Sequence, residues 1–175
     1  MPSRYYFLSS LPMLRFQDHA PLTWDHFMFE AKGNITESDY RLLCAIPEGK
    51  DCGNQFLKQW AAFNTKLDDA VNAQRRQKLG RQEEGGVAMR EFSFENVASS
   101  AINAKNPLEA ELILMRSRFD FLEEKKGFEP FSESALLSYA LQLRILLRKD
   151  MFTVESGNEE YGKLFEVIQN EITMD

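Results

Sequence analysis

A chain of 175 residues, 43% hydrophobic and 27% charged, has the size and balance of one globular domain able to bury a core of its own. A net charge of −6, from 21 basic and 27 acidic side chains, argues against a nucleic-acid-binding surface. Two cysteines, Cys44 and Cys52, are too few for a disulfide framework or a zinc pair, and no run nears the roughly 18 apolar residues that cross a bilayer.

Residues 1–22 contain Tyr5, Tyr6, Phe7, Leu8, Leu11, Leu14 and Phe16, an apolar segment that has to be covered by something. Pro12 and Pro21 limit any helix here to short lengths, and YYFL suits one helical turn as well as an extended piece. With only Arg4 ahead of it and no small-residue cleavage site before Arg15, the segment does not read as a secretion signal. Thr23 is placed to cap a short helix, TWDHFMFEAK, that Gly33 ends, with Trp24, Phe27, Met28 and Ala31 on one face. Thr36 or Ser38 caps a second, ESDYRLLCAI, with Tyr40, Leu43 and Cys44 inward. Residues 47–54, PEGKDCGN, have loop composition.

The longest helix is expected over about 55–79, where Phe56, Trp60, Phe63, Leu67 and Ala70 repeat at four-three-four-three spacing. Its second half turns polar, so its far end is expected in solvent or under a partner. Glycines 80, 85 and 86 mark a flexible linker near 80–92 between N-terminal and C-terminal helical halves of one helical domain, 1–175. A short helix follows at about 95–104, capped near Ser93.

Residues 107–152 form the strongest pattern, a helical hairpin. Leu108, Leu112, Met115, Phe119 and Leu122 share one face of its first helix, which opens at Pro107 and closes at Gly127. The second opens at Ser132 or Ser134 and carries Leu136, Leu137, Tyr139, Ala140, Leu143, Leu146 and Leu147 in a wide stripe. The short link makes the two antiparallel neighbours. A last helix is expected at about 159–173, with Tyr161, Leu164, Phe165, Ile168 and Ile172 on one face. With no strand alternation, the fold class is all-α: an irregular antiparallel helical bundle with one long helix and a central hairpin.

Residues able to do chemistry are sparse. His19 and His26 are seven apart, but Pro21 interrupts any shared helix and no further ligand motif follows, so no metal site is assigned. Cys44 reads as a small buried hydrophobe and Cys52 as a loop residue. No phosphate-binding glycine pattern and no nucleophile elbow occur, and hence neither a cofactor site nor a catalytic residue is assigned. Arg75, Arg76, Lys78 and Arg81 form the one basic cluster; flanked by Asp68, Asp69, Glu83 and Glu84, it suits a solvated helix end or a protein contact better than RNA or lipid. Arg116 and Asp120 are four apart and form the expected structural pair, set beside Phe119 and Phe121 in a helix–helix seam.

YYFLSSLPMLRF, together with RSRFDFLEEKKGFEPFSESALLSYALQLRILLRKDMF, resembles a small uncharacterised family encoded in bacterial V-type ATPase operons. The second stretch is also similar to the C-type stalk-socket protein of archaeal-type V-ATPases, related to the eukaryotic d-type one, through Arg118, Phe119 and Asp120, then Phe131, then Tyr139, Leu143 and Leu147. The resemblance implies an all-helical, non-catalytic protein with no cofactor. Its expected partners are V-type ATPase subunits, and its expected setting is cytoplasmic, peripheral to the membrane. The C-type protein seats the central stalk on the membrane rotor ring, so a shortened coupler or an accessory or assembly protein is implied. This chain has roughly half the length of a typical C-type protein, which is built from three helical bundles. Tyr5 and Tyr6, with the basic cluster, are the expected partner-binding residues. The alternative is a free-standing helical adaptor or regulator, homodimeric through exposed heptad faces.

Overall fold

A computed structural model describes residues 4–50, 52–80 and 92–152. Among these, seven α-helices and no strand occur: α1 (Arg4–Ser10), α2 (Trp24–Asn34), α3 (Glu37–Ala45), α4 (Gln55–Lys78), α5 (Phe92–Ile102), α6 (Pro107–Lys125) and α7 (Glu133–Asp150). The chain is therefore all-α, as its periodicity predicts. Arg81, most of the predicted linker and the predicted helix at 159–173 lie outside the described residues.

Short polar side chains set where most helices begin. Thr23 accepts from His26 N, Thr36 from Asp39 N, Asn54 from Phe56 N and Leu57 N, Asn106 from Glu109 N, and Ser132 from Ala135 N. Each cap satisfies amides that the first helical turn leaves unpaired. Pro107 occupies the first turn of α6, and Gly127 follows that helix with φ of 77°, a conformation that costs a residue with a Cβ.

The central element is α7. Leu136, Leu137, Ala140, Leu143 and Leu146 are fully buried, but so is Ser138, and Leu141, Gln142 and Ile145 are nearly so. A helix buried on all sides is a core strut rather than an amphipathic surface helix. It packs against α6, against α4, and against α2 and α3. The main core joins Phe7, Phe27, Leu43, Phe56, Met115, Phe119 and Leu122 to it. A second cluster of Leu67, Val71, Ala98, Ala101 and Leu114 forms where α5 lies against α4 and α6. The apolar face of α4 is covered as far as Val71, and its polar far end is continuously exposed from Arg75, as its composition predicts.

Four expectations are corrected. Leu108 is exposed and Leu114 is buried in its place, because the face of α6 turned to α4 and α5 is offset from the one turned to α7. α2 runs through Gly33 to Asn34 before Ile35 ends it. α5 starts at Phe92, ahead of the predicted cap at Ser93. Cys44 is exposed: the buried residues of α3 are Asp39, Leu43 and Ala45, and one residue past Leu43 turns the side chain about 100° outward.

That Asp39 is buried at 2% exposure sets the path of the N-terminus. Arg4 Nε and Nη2 donate to its two oxygens at 3.1 and 2.7 Å, closing a bidentate pair that ties α1 to α3. YYFL is thereby helical, with Phe7 inward against Phe27 and Tyr5 and Tyr6 outward. No helix among the described residues is long and apolar enough to cross a membrane.

Candidate protein-docking surface

The segment after α1 runs along the hairpin of α6 and α7. Tyr139 Oη donates to Pro12 O at 3.0 Å, and burial pushes the Tyr139 phenol well above its ordinary value. Phe16 packs on Phe119 at 5.7 Å between centroids, with Arg116 and Lys149 each 5.3 Å from its ring. Lys149 Nζ also donates to Phe16 O and Asp18 O, at 2.6 and 2.7 Å. Asp150 accepts from Ala20 N at 2.7 Å and contacts His19 Nδ1 at 2.9 Å. His19 therefore pairs with Asp150, and among the described residues no metal-binding cluster forms.

This clasp brings α1 to the turn between α6 and α7. Tyr5 packs on Phe131 at 4.3 Å and on Tyr6 at 5.4 Å. Tyr5, Tyr6, Phe128 and Phe131 remain 51%, 72%, 105% and 36% exposed. With about 200 Å² per aromatic side chain, the three packed rings Tyr5, Tyr6 and Phe131 present roughly 300 Å² of apolar surface, within the size range of functional patches on soluble domains, and Phe128 adds a separately exposed ring on the same turn. The patch is firmly backed: Gly127 shapes the turn, Ser132 caps α7, and Asn54 Nδ2 donates to Glu133 Oε1 at 2.5 Å, joining the starts of α4 and α7.

The predicted partner-binding residues do not converge. Tyr5 and Tyr6 lie at the end where α4 begins, whereas Arg75, Arg76 and Lys78 occupy its last turn. Roughly 21 residues at 1.5 Å each separate the groups, about 30 Å. There Lys78 Nζ donates to Ile102 O at 3.0 Å, spending one cation of the cluster on fastening α4 to α5. Arg75 instead lines an open cleft of about 620 Å³ between α4, α6 and α7, with Asp68, Glu111, Arg118 and Arg148.

Arg116 Nε does bond both oxygens of Asp120, at 2.9 and 3.0 Å, yet both side chains are about half exposed, 45% and 56%, rather than buried in a seam. The cross-helix role falls to Arg118, which donates to Asn64 Oδ1 at 2.8 Å and Asp68 Oδ1 at 3.0 Å on α4. Sequence reasoning missed both the cross-helix role of Arg118 and the Arg4–Asp39 pair. Their partners are 50 and 35 residues away, and spacing along a helix carries no signal for such pairs.

On the other side of the hairpin, burial raises the Glu123 pKa, but donation from Lys126 and Gln142 and the Lys126 charge outweigh it. The carboxyl stays below its ordinary value, poised to hold buried Gln142 across the helices. Compared with protein-family models, with curated proteins and with solved structures, the chain returns no match.

Proposed function

We propose that this chain is a non-catalytic subunit or accessory protein of a V-type ATPase, held to its partner through Tyr5, Tyr6, Phe128 and Phe131. The observation that carries the reading is that the two stretches bearing the V-type ATPase resemblance, 5–16 and 116–152, are folded into one unit. The exposed aromatic patch is built from both of them. A rigid helical scaffold presenting amphipathic aromatic side chains suits a docking role, since Tyr and Phe supply contact area while losing few rotamers on binding. The finer role is a shortened coupler between central stalk and membrane rotor, acting on the cytoplasmic side.

Affinity purification of the tagged full chain from cells that make both components tests this. ATPase subunits are expected with the parent protein and lost with Tyr6→Ser combined with Phe128→Ser. Recovery of a self-associated chain without ATPase subunits, dispersed by the same substitutions, would instead establish the free-standing homodimeric adaptor.

A further inference from the structure

The cleft between α4, α6 and α7 differs in kind from the aromatic patch. Its volume of about 620 Å³ lies within the roughly 300–1,000 Å³ that small-molecule sites occupy. Val71, Leu114, Met115 and Ile145, all buried, form an apolar floor. Trp60 closes one side, its ring stacked on Phe63 at 6.2 Å between centroids. Three helices each bring a guanidinium group to the cleft: Arg75 from α4, Arg118 from α6 and Arg148 from α7. Against these stand the carboxylates of Asp68 and Glu111, so the lining carries three positive charges and two negative, a net +1.

That excess has a location. Arg118 is committed through Nε to Asn64 and through Nη2 to Asp68, and its side chain is 20% exposed. Arg148 Nη2 pairs with Glu111 Oε1 at 3.1 Å. The Arg75 side chain has no ion-pair or hydrogen-bond partner among the described residues. Its position follows from the helix directions. Arg118 meets Asn64 and Asp68, whereas Leu114, one turn earlier on α6, clusters with Leu67 and Val71, so α6 runs antiparallel to α4. Glu111 lies seven residues before Arg118, and Arg75 lies seven after Asp68. Both are therefore displaced by about 10 Å in the same direction from the Arg118–Asp68 pair. Arg75 stands at the Glu111–Arg148 end of the cleft, where Arg148 is neutralised and Arg75 is not.

We infer that this cleft is a binding site for a small organic anion bearing one carboxylate on an apolar body, with the carboxylate on Arg75 and the body over Val71, Leu114 and Met115 beside Trp60. A planar carboxylate matches the guanidinium fork with two parallel hydrogen bonds, and its single charge equals the excess of the lining. A phosphate dianion would overcharge a site that already holds Glu111, and a neutral ligand would leave Arg75 without a counter-charge. Burial of the body on the apolar floor supplies the rest of the affinity. The inference is independent of the ATPase reading, because Arg75 lies about 30 Å along α4 from the end that bears Tyr5 and Tyr6.

Isothermal titration of the full chain with 2-naphthoate and with decanoate, one rigid body and one flexible, tests it. Saturable binding of at least one of them is expected below about 1 mM, with acetate and the uncharged 2-naphthamide each weaker by about tenfold or more. Arg75→Gln is expected to weaken the carboxylate by about tenfold, with the thermal transition unchanged because this side chain holds no described partner, and Arg75→Lys is expected to recover part of the loss. Tyr6→Ser is expected to bind as the parent does. Absence of saturable binding by both carboxylates overturns the inference, as does 2-naphthamide binding as tightly as 2-naphthoate, or undiminished binding in Arg75→Gln. Loss of binding in Tyr6→Ser also overturns it, assigning the probe to the aromatic patch. Tighter binding of a hexaglutamate peptide than of either carboxylate overturns it in favour of an acidic protein segment.

Discussion

Replacing Arg4 with alanine tests the anchor on which the docking patch depends. Asp39 has 2% of its surface exposed, and Arg4 supplies two charge-assisted hydrogen bonds to it. Removing the guanidinium leaves a buried carboxylate without its partner. Loss of one member of a fully buried pair costs about 3–5 kcal/mol; with the Arg4 side chain 29% exposed, water recovers part of this, and about 2–3 kcal/mol is expected. For a domain of this size that lowers Tm by roughly 4–12 °C. The assay is thermal and urea unfolding of Arg4→Ala, Asp39→Ala and the double variant. Asp39→Ala is expected to be milder than Arg4→Ala, because the freed guanidinium can turn to solvent, and the double variant is expected to resemble Asp39→Ala. An Arg4→Ala stability within about 0.5 kcal/mol of the parent, the usual surface result, would refute the anchor and the fixed position of Tyr5 and Tyr6 with it.

Three further outcomes follow from the hairpin. Ser138→Ala removes the 2.8 Å bond from a fully buried hydroxyl to Leu122 O; that carbonyl keeps the Lys126 amide, so urea unfolding is expected to show a loss of only about 1 kcal/mol, whereas Ser138→Leu overpacks the contact between α6 and α7 and costs more. Gly127→Ala meets no atom within 4 Å but must hold φ at 77°, so a purely conformational cost of about 1 kcal/mol, roughly 2–4 °C in Tm, is expected in a thermal melt. Burial raises the Tyr139 phenol above its unfolded value, so its contribution is intact below pH ~10 and is lost as pH climbs through the folded value; unfolding measured from pH ~8 to ~11 should show a loss that Tyr139→Phe lessens.

Helix positions were legible because they rest on local signals. Thr23, Thr36 and Ser132 cap where their chemistry indicates, and Gly127 closes α6 as its position predicts. The hairpin was legible from its apolar periodicity alone. What periodicity does not encode is how many neighbours a helix has. α7 reads as a wide stripe, yet Ser138 and Gln142 are buried too, each satisfied across the helix pair, by Leu122 O and by Glu123. For the same reason Leu108 reads as inward, since periodicity does not show that α6 turns offset faces to α7 and to α4 and α5; Cys44 reads as inward because one apolar residue beside another on a short helix leaves the rotation undetermined by about 100°. Of the candidate surface, Tyr5 and Tyr6 were visible as aromatics needing an explanation. Their union with Phe131 was not, since it depends on Arg4 and Asp39 and on contacts from Pro12, Phe16 and Ala20 to the far end of the chain.

The aromatic patch is also the point at which the functional account is most exposed to refutation. A hot-spot tyrosine contributes about 2 kcal/mol to a docked interface, roughly thirtyfold in affinity. The direct measurement is proton or sodium pumping, with recovery of the assembled complex, by the V-type ATPase in cells whose copy of this chain is deleted, parental, or Tyr6→Ser with Phe128→Ser. The account predicts impaired assembly or pumping in the deletion, restored by the parent chain and not by the patch variant, although that variant folds. A complex that assembles and pumps normally without this chain would contradict it.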